Sequence, residues 1–409
     1  MKTVTIDRLG QQGDGIAPGP IYVPRTLPGE VVSGTLVDDR LTNIRIETPS
    51  DHRIASACPH YRACGGCQLQ HASQDFVAAY KRDIVTTALN IHGVETDVRE
   101  TLTSPDRSRR RASFAARRTK KGALVGFHGR KSDILTPVPS CILLCPELVA
   151  AQQVAETLAL TGASRKAALA IAVTSSLEGL DIAVTGGKPL DGPLRIALAA
   201  VCQTHKLARL TWDDELIGMR DGPAQMMGRA KVVPPPGAFL QATSHGQEVL
   251  TELVTQIVAD ARMIADLFAG CGTFSLPLAE RAEVFAYESA PDMLDALDMG
   301  WRQAQGLKKV VVQTRDLFRR PLMPDELARF DAVVIDPPRA GAAAQITALA
   351  HAQVPRIAHV SCNPQSFARD AKTLCEAGYR LDWVQPVDQF RWSSHVELVG
   401  AFRLAHMSA

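Results

Sequence analysis

Long hydrophobic runs, a strong charge of one sign and a secretory leader are all lacking in this sequence of 409 residues. No segment approaches the roughly 18 consecutive apolar residues of a membrane-spanning helix. The first residues, Met1-Lys-Thr-Val-Thr-Ile-Asp7, contain no apolar stretch of the kind that directs secretion. The formal net charge is only +2, so any nucleic-acid surface has to be a local cluster of charge. We therefore expect a cytoplasmic protein that does not associate with membranes.

Internal repeats and low-complexity segments are also missing, which argues against a solenoid or a disordered chain. At roughly 150 residues per domain, the length predicts two or three domains. Short strands broken by glycine and proline in residues 1–52 indicate a small OB-like β-barrel. Residues 53–235 read as a central α+β domain. The helix–strand alternation of residues 236–409 predicts an α/β domain with a doubly wound, mostly parallel sheet.

A glycine-containing turn follows the first strand of the C-terminal domain, within residues 266–275. Gly270 and Gly272 allow backbone amides to approach a ligand closely at the strand's carboxyl end. Such a turn by itself also fits an ordinary strand-to-helix connection. Glu288 ends the next strand, where a carboxylate accepts hydrogen bonds from a ribose, and Asp316 follows the third strand. The combination resembles class I S-adenosylmethionine-dependent methyltransferases.

Two further strand ends carry residues suited to chemistry. The first is Asp336-Pro-Pro-Arg-Ala-Gly341, in which Arg339 takes the place of the base-stacking aromatic residue of many amino-group methyltransferases. The second is Ser361-Cys-Asn-Pro364, whose Cys362 lies where ligands bind in open α/β sheets, although a free cysteine is also commonly a buried structural residue. A thiolate is both a good nucleophile and a good leaving group. These properties suit methylation of uracil at carbon 5, because addition at carbon 6 is needed to make carbon 5 nucleophilic.

The elimination that ends such a reaction needs a base to remove the hydrogen from carbon 5, and Glu397 is the candidate carboxylate. At this point the sequence resembles the RNA uracil-5-methyltransferases over nearly its whole length, in a layout similar to that of the ribosomal RNA enzymes. The resemblance implies Cys362 as the nucleophile and Glu397 as the proton acceptor. It also implies S-adenosylmethionine contacts from Gln241, Phe268, Gly270, Thr273, Glu288, Asp316 and Asp336.

Three positions depart from the family's usual pattern. Thr243 and Thr273 stand where asparagine is usual, and Phe390-Arg-Trp-Ser393 replaces the usual Phe-Pro-x-Thr before the base. Because both catalytic residues are retained, these departures bear on specificity and rate more than on the type of reaction.

Three of the nine cysteines form a tight group, Cys58, Cys64 and Cys67. Thiolates at such spacing bind zinc or an iron–sulfur cluster, with Cys141 or Cys145 as the candidate fourth ligand. The family resemblance implies a [4Fe–4S] cluster held by Cys141 and the three earlier cysteines. We expect this cluster to have no redox role in methyl transfer.

Ten lysines and arginines and one aspartate lie in residues 104–131, a local charge of +9. Arg109–Arg111 and the basic residues of 117–121 suggest a phosphate-contacting face, although a solvated hairpin also fits. Phe114, Phe127 and His128 are the candidate stacking surfaces for unpaired bases. The N-terminal barrel resembles a TRAM domain. We expect a monomer that methylates RNA, with 23S ribosomal RNA favoured over transfer RNA. A non-catalytic RNA-binding protein and an amino-group methyltransferase are the alternatives.

Overall fold

The structure, a computed structural model, describes residues 1–405. Six N-terminal strands form one sheet: β1 (Lys2–Thr5), β2 (Arg8–Leu9), β3 (Gly15–Ala17), β4 (Ile21–Val23), β5 (Val31–Val37) and β6 (Arg40–Thr48). Their order is β1-β5-β6-β4-β3-β2, and all neighbours are antiparallel except β4 and β6. The predicted short strands are therefore present, around a small core that includes Ile6, Val23 and Val32.

A long helix and two very short strands follow: α1 (Gln74–Ile91), β7 (Asp97–Val98) and β8 (Leu102–Thr103). Helix α1 begins directly after Ser73, whose hydroxyl caps it by accepting a hydrogen bond from the amide of Phe76.

The central sheet has seven strands in the order β11-β10-β9-β12-β13-β14-β15 and is mostly antiparallel. Its elements are β9 (Arg111–Arg118), β10 (Ala123–His128), β11 (Leu135–Thr136), α2 (Pro146–Gly162), β12 (Leu169–Ser176), β13 (Gly179–Thr185), α3 (Gly192–Thr204), β14 (Arg209–Trp212) and β15 (Glu215–Met219). Helices α2 and α3 pack on a core that includes Phe114 and Trp212. The hairpin of β16 (Gln225–Met227) and β17 (Ala230–Val232) leads into the last domain.

The last domain is built on a nine-stranded sheet. Its elements are α4 (Ser244–Ile257), β18 (Met263–Leu267), α5 (Ser275–Leu278), β19 (Glu283–Glu288), α6 (Pro291–Gln303), β20 (Val310–Thr314), α7 (Pro324–Leu327), β21 (Ala332–Ile335), α8 (Ala343–Ala352), β22 (Arg356–Ser361), α9 (Pro364–Glu376), β23 (Tyr379–Asp388) and β24 (Glu397–Leu404). The strand order is β20-β19-β18-β21-β22-β24-β23-β7, with β8 also paired to β23. The first five of these strands are parallel, as predicted.

Alternate residues of the central strands face opposite sides of the sheet, as strand geometry requires. Ala265 and Val333 belong to one buried cluster, which also holds residues of α1, α7, α8 and α9. Ile264 and Val334 belong to a second cluster, which holds residues of α4, α5 and α6. The domain is therefore a three-layer α/β/α arrangement.

The strands of segment 97–103 belong to this sheet and not to the central one. Asp97 pairs with Trp383 and Leu102 pairs with Val387, both in parallel. Although these residues fall within the predicted central domain of 53–235, their main chain extends the C-terminal sheet at its edge. The physical reason is that β23 would otherwise leave its outer hydrogen-bonding edge unpaired. Among residues 1–405, no helix combines the length and the apolar character needed to cross a membrane.

Candidate active site at the carboxyl ends of the strands

The sequence-predicted residues meet at one edge of the nine-stranded sheet. Three of them mark neighbouring strand ends: Glu288 at the end of β19, Asp336 after β21 and Cys362 after β22. Asp266 of β18, which was not predicted as a site residue, lies in the strand between β19 and β21. Strand β24 runs antiparallel to β22, and its register pairs Ser361 with Leu398. One step further, Glu397 is therefore set opposite Cys362. Residues separated by up to 131 positions in the chain are brought together because parallel strands all end on the same side.

Cys362 lies in a pocket whose lining includes Gln11, Arg339, Asn363 and His395. Burial raises the pKa of the Cys362 thiol to about 11, and the carboxyls of Glu397 and Asp336 add to the rise. Arg339 acts in the opposite direction. A pKa raised in this way favours the protonated thiol near neutral pH in the free protein.

Two loops that carry the site are tied to each other. The Asn363 side chain donates from Nδ2 to the carbonyl oxygen of Arg339 at 3.0 Å, and its Oδ1 accepts from the amide of Gln365 at 3.1 Å. Asn363 is thereby both the N-cap of α9 and the link to the Asp336–Gly341 loop. Pro364 follows at the first helical position, where its lack of an N–H costs nothing.

Glu397 is almost completely buried, with 4% of its surface exposed. Burial raises the pKa of this carboxyl well above its usual range, Asp336 raises it further, and the Gln389 side chain opposes the rise. Asp336 itself has a pKa raised to about 7 by burial. Two carboxyls that are easily protonated thus flank the thiol, which is an arrangement suited to moving protons near neutral pH.

The glycine-containing turn has the backbone needed for close contact with a ligand. Phe268 and Gly270 have positive φ angles of 64° and 55°. At Gly272, with φ of 94°, a Cβ atom would lie 2.8 Å from Cγ of Leu297, so only glycine fits. The Gly270 amide donates to Oε2 of Glu288 at 3.1 Å, which joins the turn to the second strand end.

Asp266 lies beneath this turn and is fully buried. Its Oδ2 accepts a hydrogen bond from the Ser275 hydroxyl at 2.6 Å, whereas its Oδ1 has no partner among the described residues. Burial raises the pKa of Asp266 to about 7, despite the Ser275 hydrogen bond. Asp266 therefore supports the turn from below and leaves one acceptor atom available.

The loop after β20, which carries Asp316, lies beside the glycine-containing turn. The Asp316 side chain accepts from the amides of Phe318 and Arg319 at 3.0 and 3.2 Å, which fixes the loop after β20. The rings of Phe268 and Phe318 then lie 5.4 Å apart between centroids. Thr273 is half-buried in the neighbouring turn. An apolar wall with a carboxylate beside it suits an adenine ring and its amino group.

Gln241 is buried, and its partner is a residue that sequence reasoning missed. The Gln389 side chain donates from Nε2 to Oε1 of Gln241 at 2.5 Å and accepts at Oε1 from the amide of Ala242 at 2.7 Å. Gln389 therefore connects the segment of Gln241 to the surroundings of Glu397. The sequence carries no signal for this role, because a lone glutamine eight positions before the base looks like any polar loop residue.

The structure overturns part of the predicted RNA surface. Arg110 is buried and donates to the carbonyl of Gln241 at 3.1 Å and to Oε1 of Gln247 at 2.7 Å. Arg111 donates to the carbonyl of Leu240. Phe114 is fully buried against Phe127, so it cannot stack on a base. Arg110 and Arg111 therefore join the central sheet to the last domain. The prediction that they contact phosphates was wrong because carbonyl oxygens inside a protein can accept hydrogen bonds from guanidinium groups as well as water does.

The basic residues at the turn between β9 and β10 remain at the surface. Arg117, Lys120 and Lys121 are exposed. This shorter group is the part of the predicted phosphate-contacting face that stays available to a polyanion.

All four predicted cysteine ligands line one small pocket. Its lining includes Cys58, Cys64, Cys67 and Cys141. Burial raises the pKa of Cys67 to about 12, with Cys141 and Cys64 adding to the rise. Cys145 instead begins α2 as its N-cap and belongs to the buried core of the central sheet. No group of three or more His, Cys, Asp or Glu side chains within residues 1–405 is arranged to hold a single metal ion.

Comparisons with known proteins identify the family of this chain. The family described as tRNA (Uracil-5-)-methyltransferase matches residues 234–403. An uncharacterized RNA methyltransferase of Brucella suis is 42% identical over 97% of this chain and 96% of its own length. The 23S rRNA (uracil(1939)-C(5))-methyltransferase RlmD of Shewanella piezotolerans is 30% identical over 98% of this chain and 95% of its own.

Among solved structures, the tRNA (uracil-54, C5)-methyltransferase of Pyrococcus abyssi in complex with S-adenosyl-L-homocysteine superposes with a TM-score of 0.76. It covers 98% of this chain and 99% of its own, at 22% identity, and so confirms the predicted class I methyltransferase fold. Relatives at 30% to 42% identity extend along almost the entire sequence. The chain therefore belongs to the RNA uracil-5-methyltransferase family and is a methyltransferase that uses S-adenosylmethionine.

Proposed function

We propose that this protein makes 5-methyluridine in 23S ribosomal RNA, with Cys362 as the covalent nucleophile and Glu397 as the final base. The observation that supports the proposal is that Glu397 lies near enough to Cys362 to raise the pKa of its thiol, next to the paired residues Ser361 and Leu398 of β22 and β24. Asp336 acts on the pKa of both groups, so the three lie in one electrostatic environment.

S-adenosylmethionine supplies the methyl group and a sulfonium charge when bound. The residues proposed to hold it lie around the glycine turn and its neighbours: Gln241, Phe268, Gly270, Thr273, Glu288, Asp316 and Asp336. Three observations support this fit, namely the positive φ angles of Phe268 and Gly270 in the turn, the unpartnered Oδ1 of Asp266 and the paired rings of Phe268 and Phe318.

In the proposed reaction, the Cys362 thiolate forms a bond to carbon 6 of the uracil, and the electron pair of the double bond moves to the ring carbonyl as an enolate. Carbon 5 of the enolate then forms a bond to the methyl carbon, the bond from that carbon to the sulfonium sulfur breaks, and neutral S-adenosylhomocysteine would be the leaving group. Glu397 removes the remaining hydrogen of carbon 5 as a proton, the double bond re-forms, and the bond from carbon 6 to sulfur breaks to release the thiolate.

The ionisation of the site controls when this sequence can begin. Without ligands, burial and two neighbouring carboxyls keep the Cys362 thiol protonated. A positive charge close to these acids favours their ionised forms. The chain's own Arg339 already acts in this direction on Cys362. We propose that the sulfonium charge of bound S-adenosylmethionine favours ionisation of the Cys362 thiol, so that the nucleophile forms in the complex with the cofactor.

The choice of ribosomal RNA is supported by the full-length similarity to an enzyme named for 23S rRNA. A second candidate substrate is transfer RNA, because both the matching family and the superposed archaeal enzyme are named for it. The exposed group of Arg117, Lys120 and Lys121 suits either polyanion.

The test is to delete the gene and map 5-methyluridine in both ribosomal and transfer RNA of the deletion strain. Loss of a 5-methyluridine from 23S rRNA that returns with the wild-type gene, but not with the Cys362→Ala variant, supports the proposal. Loss from transfer RNA alone would reassign the substrate, and unchanged 5-methyluridine in both RNAs would overturn the proposed function.

We further propose that Cys58, Cys64, Cys67 and Cys141 hold a [4Fe–4S] cluster with a structural role. The support for this proposal is that Cys58, Cys64, Cys67 and Cys141, which the sequence resemblance implies as ligands, line one small pocket. Thiolates are the ligands of both iron–sulfur clusters and structural zinc, so metal analysis decides between them. Cluster binding would also remove the thiol protons of Cys64 and Cys67, whose pKa values burial raises.

A further inference from the structure

The loop that precedes Glu397, residues 389–396, shapes one wall of the reaction site. Ser394, His395 and Val396 line the same pocket as Cys362. The loop begins with Gln389, whose side chain acts on the pKa of Glu397. The position of Glu397 therefore depends on what holds this loop, since Glu397 is the first residue of β24.

The first anchor of the loop is a fully buried ion pair. Nζ of Lys81, in the middle of α1, lies 2.5 Å from Oδ1 of Asp388, and the two side chains are 0% and 1% exposed. The same Lys81 nitrogen donates to the carbonyl oxygen of Phe390 at 3.2 Å, and Asp388 accepts from the amide of Phe390 at 3.0 Å. One lysine thus holds both the last residue of β23 and the second residue of the loop.

The second anchor comes from the residues directly after Cys67. The amides of Gln68 and Leu69 both donate to the carbonyl oxygen of Trp392, at 2.7 and 2.9 Å. Trp392 has a φ of 59°, a left-handed conformation that side-chain-bearing residues rarely adopt without support. The neighbouring Arg391 adds an ion pair to Asp106 at 2.6 Å.

All of these contacts come from residues 68–106, outside the segment of 234–403 that carries the matched methyltransferase family. A fully buried ion pair is a poor source of net stability, because desolvating two charges offsets most of their attraction. Its effect here is geometric, since the nitrogen of Lys81 contacts the Asp388 carboxylate and the carbonyl of Phe390 at the same time.

We propose that Lys81, through Asp388 and the carbonyl of Phe390, is a positioning residue for the elimination step performed by Glu397. The inference rests on the proposed function of Glu397 as the base. Carbon–sulfur bond formation depends on Cys362, which is carried by β22 and α9 and not by this loop. Removing the ion pair should therefore slow release of the covalent adduct more than its formation.

The experiment compares the wild type with the double variant Lys81→Met, Asp388→Asn. The double change is used because Lys81→Met alone would leave an unpaired buried carboxylate, which is strongly destabilising. A 23S rRNA transcript with tritium at carbon 5 of uridine is mixed with enzyme and S-adenosylmethionine under single-turnover conditions. Adduct formation is followed on denaturing gels, and elimination is followed by release of tritium to solvent.

We expect tritium release to slow by about tenfold or more, a typical cost of misplacing a catalytic group, while adduct formation changes by less than about twofold. The matched control is Arg209→Met, Asp181→Asn, which removes a largely buried ion pair between β13 and β14 of the central sheet. This control should leave the ratio of the two rates unchanged.

Each result has a distinct reading. Equal slowing of both steps in the Lys81 variant, or no slowing of either, would overturn the positioning role. A control variant with the same selective defect would do so as well. If the wild-type enzyme forms no adduct and releases no tritium from either 23S or transfer RNA, the proposed function fails instead.

Discussion

The side chains of Gln389 and Gln241, separated by 148 positions in the chain, share a hydrogen bond of 2.5 Å in the interior of the protein. Gln241 is the earliest residue proposed to contact S-adenosylmethionine, and Gln389 acts on the proposed base, Glu397. The bond therefore joins the cofactor region to the proton-accepting region. We therefore expect a substitution of Gln389 to affect both the cofactor region and the region around Glu397.

Replacing Gln389 with leucine should weaken binding of S-adenosylhomocysteine by about 5- to 10-fold, the equivalent of about 1 kcal/mol for one lost hydrogen bond. The Ala242 amide would also lose its acceptor. Titration calorimetry measures the affinity. The matched control is Gln345→Leu, a fully buried glutamine of the same domain that bonds only to the main chain of Leu322. Equal affinities of Gln389→Leu and Gln345→Leu for S-adenosylhomocysteine would contradict a role for Gln389 in the cofactor region.

Cys362→Ala should lower methylation by about 10³-fold or more, because no other group in the site can add to carbon 6 of uracil. Affinity for S-adenosylhomocysteine should stay close to that of the wild type. Transfer of a labelled methyl group to RNA provides the assay. Cys375→Ala, at another half-buried cysteine of this domain, serves as the control and should keep full activity. An active Cys362→Ala enzyme would rule out the covalent mechanism.

Glu397→Gln keeps the shape of the side chain but removes its ability to accept a proton. Methylated RNA should therefore remain bound to the protein through Cys362 and accumulate as a band on denaturing gels. Glu376→Gln, at the end of α9, is the control and should not trap RNA. Continued turnover by Glu397→Gln without any trapped adduct would mean that another group is the base.

Asp266→Asn should change the pH dependence of stability. The pKa of Asp266 is raised from 3.8 to about 7, so between these values the folded protein keeps a proton that the unfolded chain loses. The resulting stability is present below about pH 4 and is lost as the pH rises through about 7. Asparagine does not ionise. The free energy of unfolding of the Asp266→Asn variant, relative to that of the wild type, should therefore rise by on the order of 2–3 kcal/mol between pH 5 and pH 8.

Urea unfolding of both proteins at the two pH values measures this difference. A constant difference between variant and wild type would show that Asp266 is already ionised at pH 5. The pH effects of the other acids cancel in this difference, because those acids are the same in both proteins.

Cys141→Ser should remove iron and the broad absorption near roughly 400 nm from protein prepared without oxygen. It should also weaken RNA binding, since the loop at Cys64 lies against β10 through the hydrogen bond from the Gly65 amide to the carbonyl of His128. Cys145→Ser is the matched control, and it should retain the iron because Cys145 lies in the apolar core. Stoichiometric zinc without iron in the wild type would replace the cluster with a zinc site.

The local motifs of this protein were readable from the sequence because each lies at a strand end. The turn around Gly270 and Gly272, Asp336 and Cys362 follow apolar runs of the kind that form parallel strands. Strands that are parallel neighbours all end at the same edge, so residues at those ends meet whatever the details of packing. The gathering of Cys58, Cys64 and Cys67 follows equally directly, since they lie within one loop of ten residues.

Contacts between distant segments were decided only by the tertiary structure. The sequence of Arg109–Arg111 does not show whether the guanidinium groups donate to phosphates, to water or to carbonyl oxygens inside the protein. In the structure, Arg110 is buried. Likewise, nothing in the sequence pairs Lys81 with Asp388, 307 positions later, or Gln389 with Gln241. Such partners have no characteristic spacing, because they are chosen by which surfaces the packed helices and sheets bring together.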